Sequence, residues 1–131
     1  MEEYRDQERL LSTTLFITFD VTDLYTMIPR DGALAALGRF LIRHSQNGKI
    51  NGMIVDTLMK MARLVLNTNC FAFETKYYQQ IRGGAMGSPL TMTLANIYMY
   101  EWEQTLIEYQ QTHNELYGRY VIVVLFFLSP T

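Results

Sequence analysis

The stretch LFITFDVTDLYTMIP, residues 15–29, decides how the rest of this chain is read. Leu15 to Val21 alternates well enough for a β-strand, and its apolar residues predict a buried one. Asp20 lies within that run and Asp23 three residues on. An unpaired carboxylate in an apolar setting costs several kcal/mol or more, so it is normally bonded, neutralised or bound to a metal. Asp20 has two readings on these grounds: a core residue satisfied by backbone, or a ligand for Mg²⁺, a hard cation that prefers oxygen. Asp23 could join it, or cap the turn that follows.

Outward from this strand, TMIPRDG reads as a turn, with Pro29 and Gly32 as its breakers. Asp31 is placed to cap a helix over residues 32–44, with Leu34, Leu37 and Leu41 on one stripe. SQNGK stops it. A second helix is expected over residues 51–66, with Ile54, Leu58, Met61 and Val65 spaced for one buried face. CFAFETKYYQQI then changes period and predicts a hairpin that turns at Thr75-Lys76. RGGAMGSP, residues 82–89, is a glycine-rich loop leading into a helix. There Ser88 is a suitable N-cap and Pro89 a suitable first residue. That helix runs to about residue 111. HNELYG turns the chain, and residues 119–128 read as one strand. Mixed strands and helices in this order make an α+β fold.

The bulk numbers narrow the function. The chain has 131 residues, enough for one domain with a core. Charged residues make up 18 %, against about 25 % in typical globular domains, and 49 % are hydrophobic. A surface so poor in charge suits a piece of a larger protein or an obligate partner. A net charge of −2 gives no support for a free-standing nucleic-acid binder. One cysteine, Cys70, excludes an internal disulfide, and with His44 and His113 far apart it excludes a Cys/His zinc cluster. The acidic start MEEYRDQERLLSTT is no signal peptide, and the run 121–128 is too short to span a bilayer. An intracellular protein without membrane contact is expected.

Taken alone, RGGAMGSP is a tight turn into a helix. Its glycines could present backbone N–H groups to an anion, but it lacks the Gly-Lys-Ser/Thr ending of a nucleotide-binding P-loop. The combination says more. FDVTDLYTMIP, then CFAFETKYYQQIRGGAMGSPLTMTLANIYMYEWE, then YGRYV closely resembles the palm of reverse transcriptases, and most of all the Penelope-like retroelement type. The resemblance covers about residues 16–121, leaving 122–131 as a divergent apolar tail.

The resemblance implies the incomplete palm of a right-handed polymerase. Its activity by descent is RNA-directed DNA polymerization, the transfer of deoxynucleotides to a primer by a nucleotidyltransferase. RNA template, DNA primer and deoxynucleotide are the implied partners, Mg²⁺ the implied cofactor, and the nucleus the implied compartment. Asp20 matches the first catalytic, metal-binding aspartate. Asp23 lies where the nucleotide phosphates approach. Tyr25 matches the sugar-reading ring that rejects a 2′-hydroxyl. Gly84, Gly87, Ser88 and Pro89 match the loop and helix start that shape the nucleotide and template site, and Asn96 a position on the helix behind.

Nucleotidyl transfer uses two metal ions about 3.5–4 Å apart, which need several carboxylates. In the family, two of these follow a tyrosine as Tyr-x-Asp-Asp on a neighbouring hairpin. Here RYVIVV places Ile122 and Val123 at those positions. An inactive fragment, a pseudoenzyme, is therefore expected, without the family's thumb and with little of its fingers. The alternative is a non-enzymatic degenerate palm that serves as an interaction module. A third reading, an unrelated metal-dependent phosphotransferase using Asp20 and Asp23, is opposed by the order of Asp20 and the glycine loop.

Overall fold

The computed structural model describes residues 13–113 and 115–120, and the backbone of residues 123–128. The expectation for residues 1–12, a short polar helix or a frayed end, lies outside the described residues, as does the residue pair 121–122. The chain is a mixed α/β protein, as the alternation of periods predicted. It forms two compact units, residues 23–102 and the remainder.

In the unit of residues 23–102, a four-residue helix α1 (Leu24–Met27) leads into α2 (Arg30–His44). A short hairpin follows, β1 (Lys49–Ile50) and β2 (Met53–Ile54), and then α3 (Val55–Thr68). A second hairpin, β3 (Cys70–Phe73) and β4 (Lys76–Gln79), precedes the long helix α4 (Pro89–His113), whose first half belongs to this unit. The core is Leu24, Ile28, Ala33, Leu34, Ala36, Leu37, Ala62, Leu66, Leu94, Ala95, Ile97 and Met99. Small residues at Ala33, Ala36, Ala62 and Ala95 suit close approach of helices, because a side chain of one carbon leaves little to interdigitate.

Several expectations shift here. The helix expected from residue 51 starts at Val55, because two Asn-Gly pairs fold the preceding segment into consecutive tight turns. Asn47 and Gly48 have φ of 55° and 73°, and Gln46 and Lys49 exchange backbone hydrogen bonds across them at 2.9 and 3.1 Å. Asn51 and Gly52 have φ of 49° and 82° between the paired residues Ile50 and Met53. Left-handed φ at both central positions is the demand of a two-residue hairpin that Asn-Gly meets. Asp31 does not cap α2. The helix starts one residue before it, and Asp31 sits in the first turn, where a carboxylate complements the helix dipole. The turn of the β3–β4 hairpin is Glu74-Thr75, one residue earlier than predicted, with Glu74 at φ 55° and Phe73 paired to Lys76. The buried face of α3 is Ala62 and Leu66 rather than the four residues proposed, of which Met61 remains 51 % exposed. Leu58, Met61, Ala62 and Val65 line an open apolar groove of 300 Å³ with Leu37, Leu41 and Leu90.

In the other unit, β5 (Leu15–Asp20), β6 (Leu116–Tyr120) and β7 (Val123–Leu128) form one antiparallel sheet in the order β5-β7-β6. The second half of α4 belongs with them. Two corrections follow. Residues 119–128 are not one strand: β6 starts at Leu116 and pairs antiparallel with β7, with Tyr120 opposite Val123. And β5 is exposed along its length, Leu15 and Phe16 by 60 % and 59 %. Among the described residues it pairs with one strand, β7, and so forms an edge of this sheet.

The cover of this sheet's other edge is polar. Glu103, on α4 and buried, accepts from Arg119 Nε at 2.7 Å, from an Arg119 terminal nitrogen at 3.2 Å and from the Tyr117 hydroxyl at 2.5 Å. One carboxylate thus ties two residues of β6 to the helix. Burial first, and then the bond to Glu103, push the Tyr117 hydroxyl above its ordinary range.

Candidate functional site

The predicted site residues fall into two groups, one in each unit. In the sheet, Asp20 is the last residue of β5 and is exposed. Its partner across the ladder is Val123. Since Tyr120 also pairs with Val123, the β6–β7 reversal sits beside Asp20 in this sheet. Ile122 lies outside the described residues. Asp20 does not face the buried-carboxylate problem that its apolar neighbours suggested, because water reaches it. Among the described residues no group of three or more His, Cys, Asp and Glu side chains is placed to hold a metal ion.

The second group is built on the turn that opens the other unit. Asp23 is exposed and left-handed, with φ 54° and ψ 29°, at the N-cap of α1, and its side chain makes no cap bond. Its carbonyl accepts from the Met27 amide at 2.9 Å and the Thr26 hydroxyl at 3.2 Å. Aspartate tolerates this backbone region better than most residues. Tyr25 follows, half-buried, and its carbonyl accepts the amide of Gly84 at 2.8 Å. The glycine loop is thereby joined to the segment carrying Tyr25.

Both adjacent glycines are required by that contact, for different reasons. Gly83 has φ 57°, and a Cβ there would come within 2.4–2.5 Å of the Tyr25 and Thr26 backbone. A Cβ on Gly84 would meet the Thr91 side chain, 2.2 Å from its hydroxyl oxygen and 2.7 Å from its methyl. Gly87 has φ 86° and open space around it, so it serves the bend. Ser88 then occupies the N-cap position and Pro89 the first position of α4, as predicted, with the Ser88 carbonyl accepting from the Met92 amide at 3.2 Å. Tyr25, Ala85, Gly87, Ser88, Thr91 and Met92 surround a cavity of 60 Å³. Asn96 lies farther along α4 and is half-buried.

Beside this cavity runs a groove of 640 Å³ lined by Thr26, the β3–β4 residues Cys70, Phe71 and Gln79, and the loop residues Gln80 to Arg82, Ala85 and Met86. Phe71 and Tyr78, paired across the hairpin, stack at 5.6 Å. The positive end of the α4 dipole lies next to a loop with one arginine and no acidic residue, so the electrostatics favour an anionic ligand.

Two residues of this site escaped the sequence reading. Arg30 donates from Nε to the Gly83 carbonyl at 2.7 Å and from a terminal nitrogen to the Gln80 carbonyl at 2.6 Å. Thr91 is 2 % exposed, and its hydroxyl has no hydrogen-bond partner among the described residues. No motif gives either residue a role, and the Arg30 bonds span 50 and 53 residues.

Among the described residues no helix is long and apolar enough to cross a membrane. No family model and no curated protein sequence matches this chain.

Proposed function

We propose that this chain is a reverse transcriptase palm fragment of the Penelope-like type that has lost its catalytic metal site. The observation that carries the reading is the ladder pairing of Asp20 with Val123 beside the β6–β7 reversal. In the resembled family the first aspartate and the Asp-Asp hairpin lie side by side in this way. Here the partner positions hold isoleucine and valine. The joining of Tyr25 to the glycine loop adds support, because a sugar-reading ring and the loop that shapes the nucleotide site belong on one pocket.

Among the described residues the donor set does not fit two Mg²⁺. Asp20 offers one carboxylate, and Mg²⁺ gives up its waters only where several oxygen ligands converge. No metal-dependent step follows from these residues. What remains is a pocket with a dipole suited to phosphate and a ring suited to a deoxyribose. RNA template and DNA primer are partners of the ancestral activity.

Primer extension tests the reading. The purified chain should extend no primer on RNA or DNA templates with Mg²⁺ or Mn²⁺. Measurable extension that Asp20→Ala abolishes would overturn the loss of function.

A further inference from the structure

Arg30 does more in this fold than start a helix, and its partners say what. It is half-buried at the first position of α2, and both of its bonds go to backbone carbonyls of one loop, those of Gln80 and Gly83. Five residues earlier, the Tyr25 carbonyl holds the Gly84 amide of the same loop at 2.8 Å. The Gln80 side-chain amide closes the loop on itself by donating to the Gly84 carbonyl at 2.9 Å. The segment 25–30 therefore grips the loop 80–84 at both ends, by backbone at Tyr25 and by side chain at Arg30. Gly83 brings the two so close that a Cβ would strike the Tyr25 and Thr26 backbone.

We infer that Arg30 is a positioning residue that makes the Tyr25 segment and the glycine loop one rigid body, and so sets the width of the cavity between the Tyr25 ring and the start of α4. The guanidinium suits this role. Its planar fork places two donors on two carbonyls at fixed separation, which a lysine ammonium cannot reproduce. If the loop moves, Tyr25 moves with it. The cavity residues Ala85, Gly87 and Ser88 follow the gripped loop directly, so its dimensions depend on the grip. The consequence for sugar discrimination rests on the reading of Tyr25 as the sugar-facing ring, while the grip itself does not.

The test uses the full 131-residue chain. Residue-resolved amide hydrogen exchange is compared between wild type and Arg30→Lys. The Gly84 amide should exchange at least about tenfold faster in the variant, since charged hydrogen bonds to its loop are lost. Amides in the core turns of α2 and α4, such as Leu37 and Leu94, should change less than about twofold, as expected of a local opening. An unchanged Gly84 rate, or a uniform acceleration of all three, overturns the inference. A second measurement needs no substitution. In wild type at increasing denaturant, the amides of Met27, Ile28 and Gly84 should open as one unit with a common free energy. Independent opening of Gly84 also overturns it.

Equilibrium binding of dATP and ATP separates this inference from the functional reading. A wild-type preference for dATP that narrows several-fold in Arg30→Lys supports both. A preference that Arg30→Lys leaves untouched refutes the control of cavity width. If wild type binds neither nucleotide while the exchange results hold, the grip stands and the nucleotide reading fails.

Discussion

Gly83 and Gly84 stand side by side, and alanine at each should destabilise the fold through different neighbours. At Gly84 the obstacle is the Thr91 side chain, whose hydroxyl oxygen, methyl and Cβ lie 2.2, 2.7 and 2.9 Å from the position of a new Cβ. Overpacking of this kind costs about 1–3 kcal/mol. Since the backbone of Gly84 is not left-handed, Gly84→Ala should fall in that range with no added strain. Thr91→Ala deletes the two nearer atoms. By itself it removes a buried hydroxyl without a partner, a gain of about 1 kcal/mol or more, and a methyl, a loss of similar size. It should therefore be close to neutral. The double variant should lie within about 1 kcal/mol of Thr91→Ala, a coupling that additivity forbids for independent sites. Gly83→Ala meets backbone at 2.4–2.5 Å and is held at φ 57°. Left-handed backbone adds about 1–2 kcal/mol for alanine, so its cost should exceed that of Gly84→Ala. Thr91→Ala should not relieve it. Urea denaturation of the single and double variants measures all of these. Strict additivity of Gly84→Ala with Thr91→Ala, or rescue of Gly83→Ala by Thr91→Ala, would refute the packing described for the loop.

Glu103→Ala should destabilise the sheet unit by about 1–3 kcal/mol, because it removes the buried carboxylate that accepts from both the half-buried Arg119 guanidinium and the Tyr117 hydroxyl. Glu103→Gln should cost less, and a urea midpoint for Glu103→Ala equal to wild type would contradict this. The bond from Arg39 holds the Glu101 carboxyl below its ordinary value of 4.5. A depressed value stabilises the fold above that pH and is lost as pH falls through it, so acid titration of Arg39→Met should show a smaller stability loss below about pH 4.5 than wild type. Tyr117 has the opposite sign. Raised above 10.0, it contributes stability that is complete below that pH and lost as pH rises through the elevated value, and Tyr117→Phe should flatten the alkaline limb of the stability profile. On the proposed palm reading, introducing carboxylates with Ile122→Asp and Val123→Asp together should not produce primer extension. Two more negative charges on a chain already at −2 weaken phosphate contacts, which dominate nucleic-acid affinity. Extension by that double variant would show that the ligand pair alone was missing.

The sequence by itself determined the features whose causes are local. The helices expected over residues 32–44, 51–66 and from Ser88-Pro89 to about residue 111 correspond to those found at 30–44, 55–68 and 89–113, and the start of the last was legible from capping chemistry. The Asn-Gly pairs at 47–48 and 51–52 carried an equally local signal, a preference for left-handed φ, which a helical pattern over residues 51–66 obscured. The loop glycines were legible as a bend, and Tyr25 as a candidate beside them. Only the tertiary structure decided what touches them. The Arg30 bonds to Gln80 and Gly83, the Gly84 contact with Tyr25 and the Glu103 tie to Arg119 join residues that no shared helix turn or strand period relates. Exposure was equally nonlocal: Leu15 to Asp20 carries the pattern of a buried strand, yet burial depends on whether a second layer covers it, and that is a property of the other chain segments rather than of the strand.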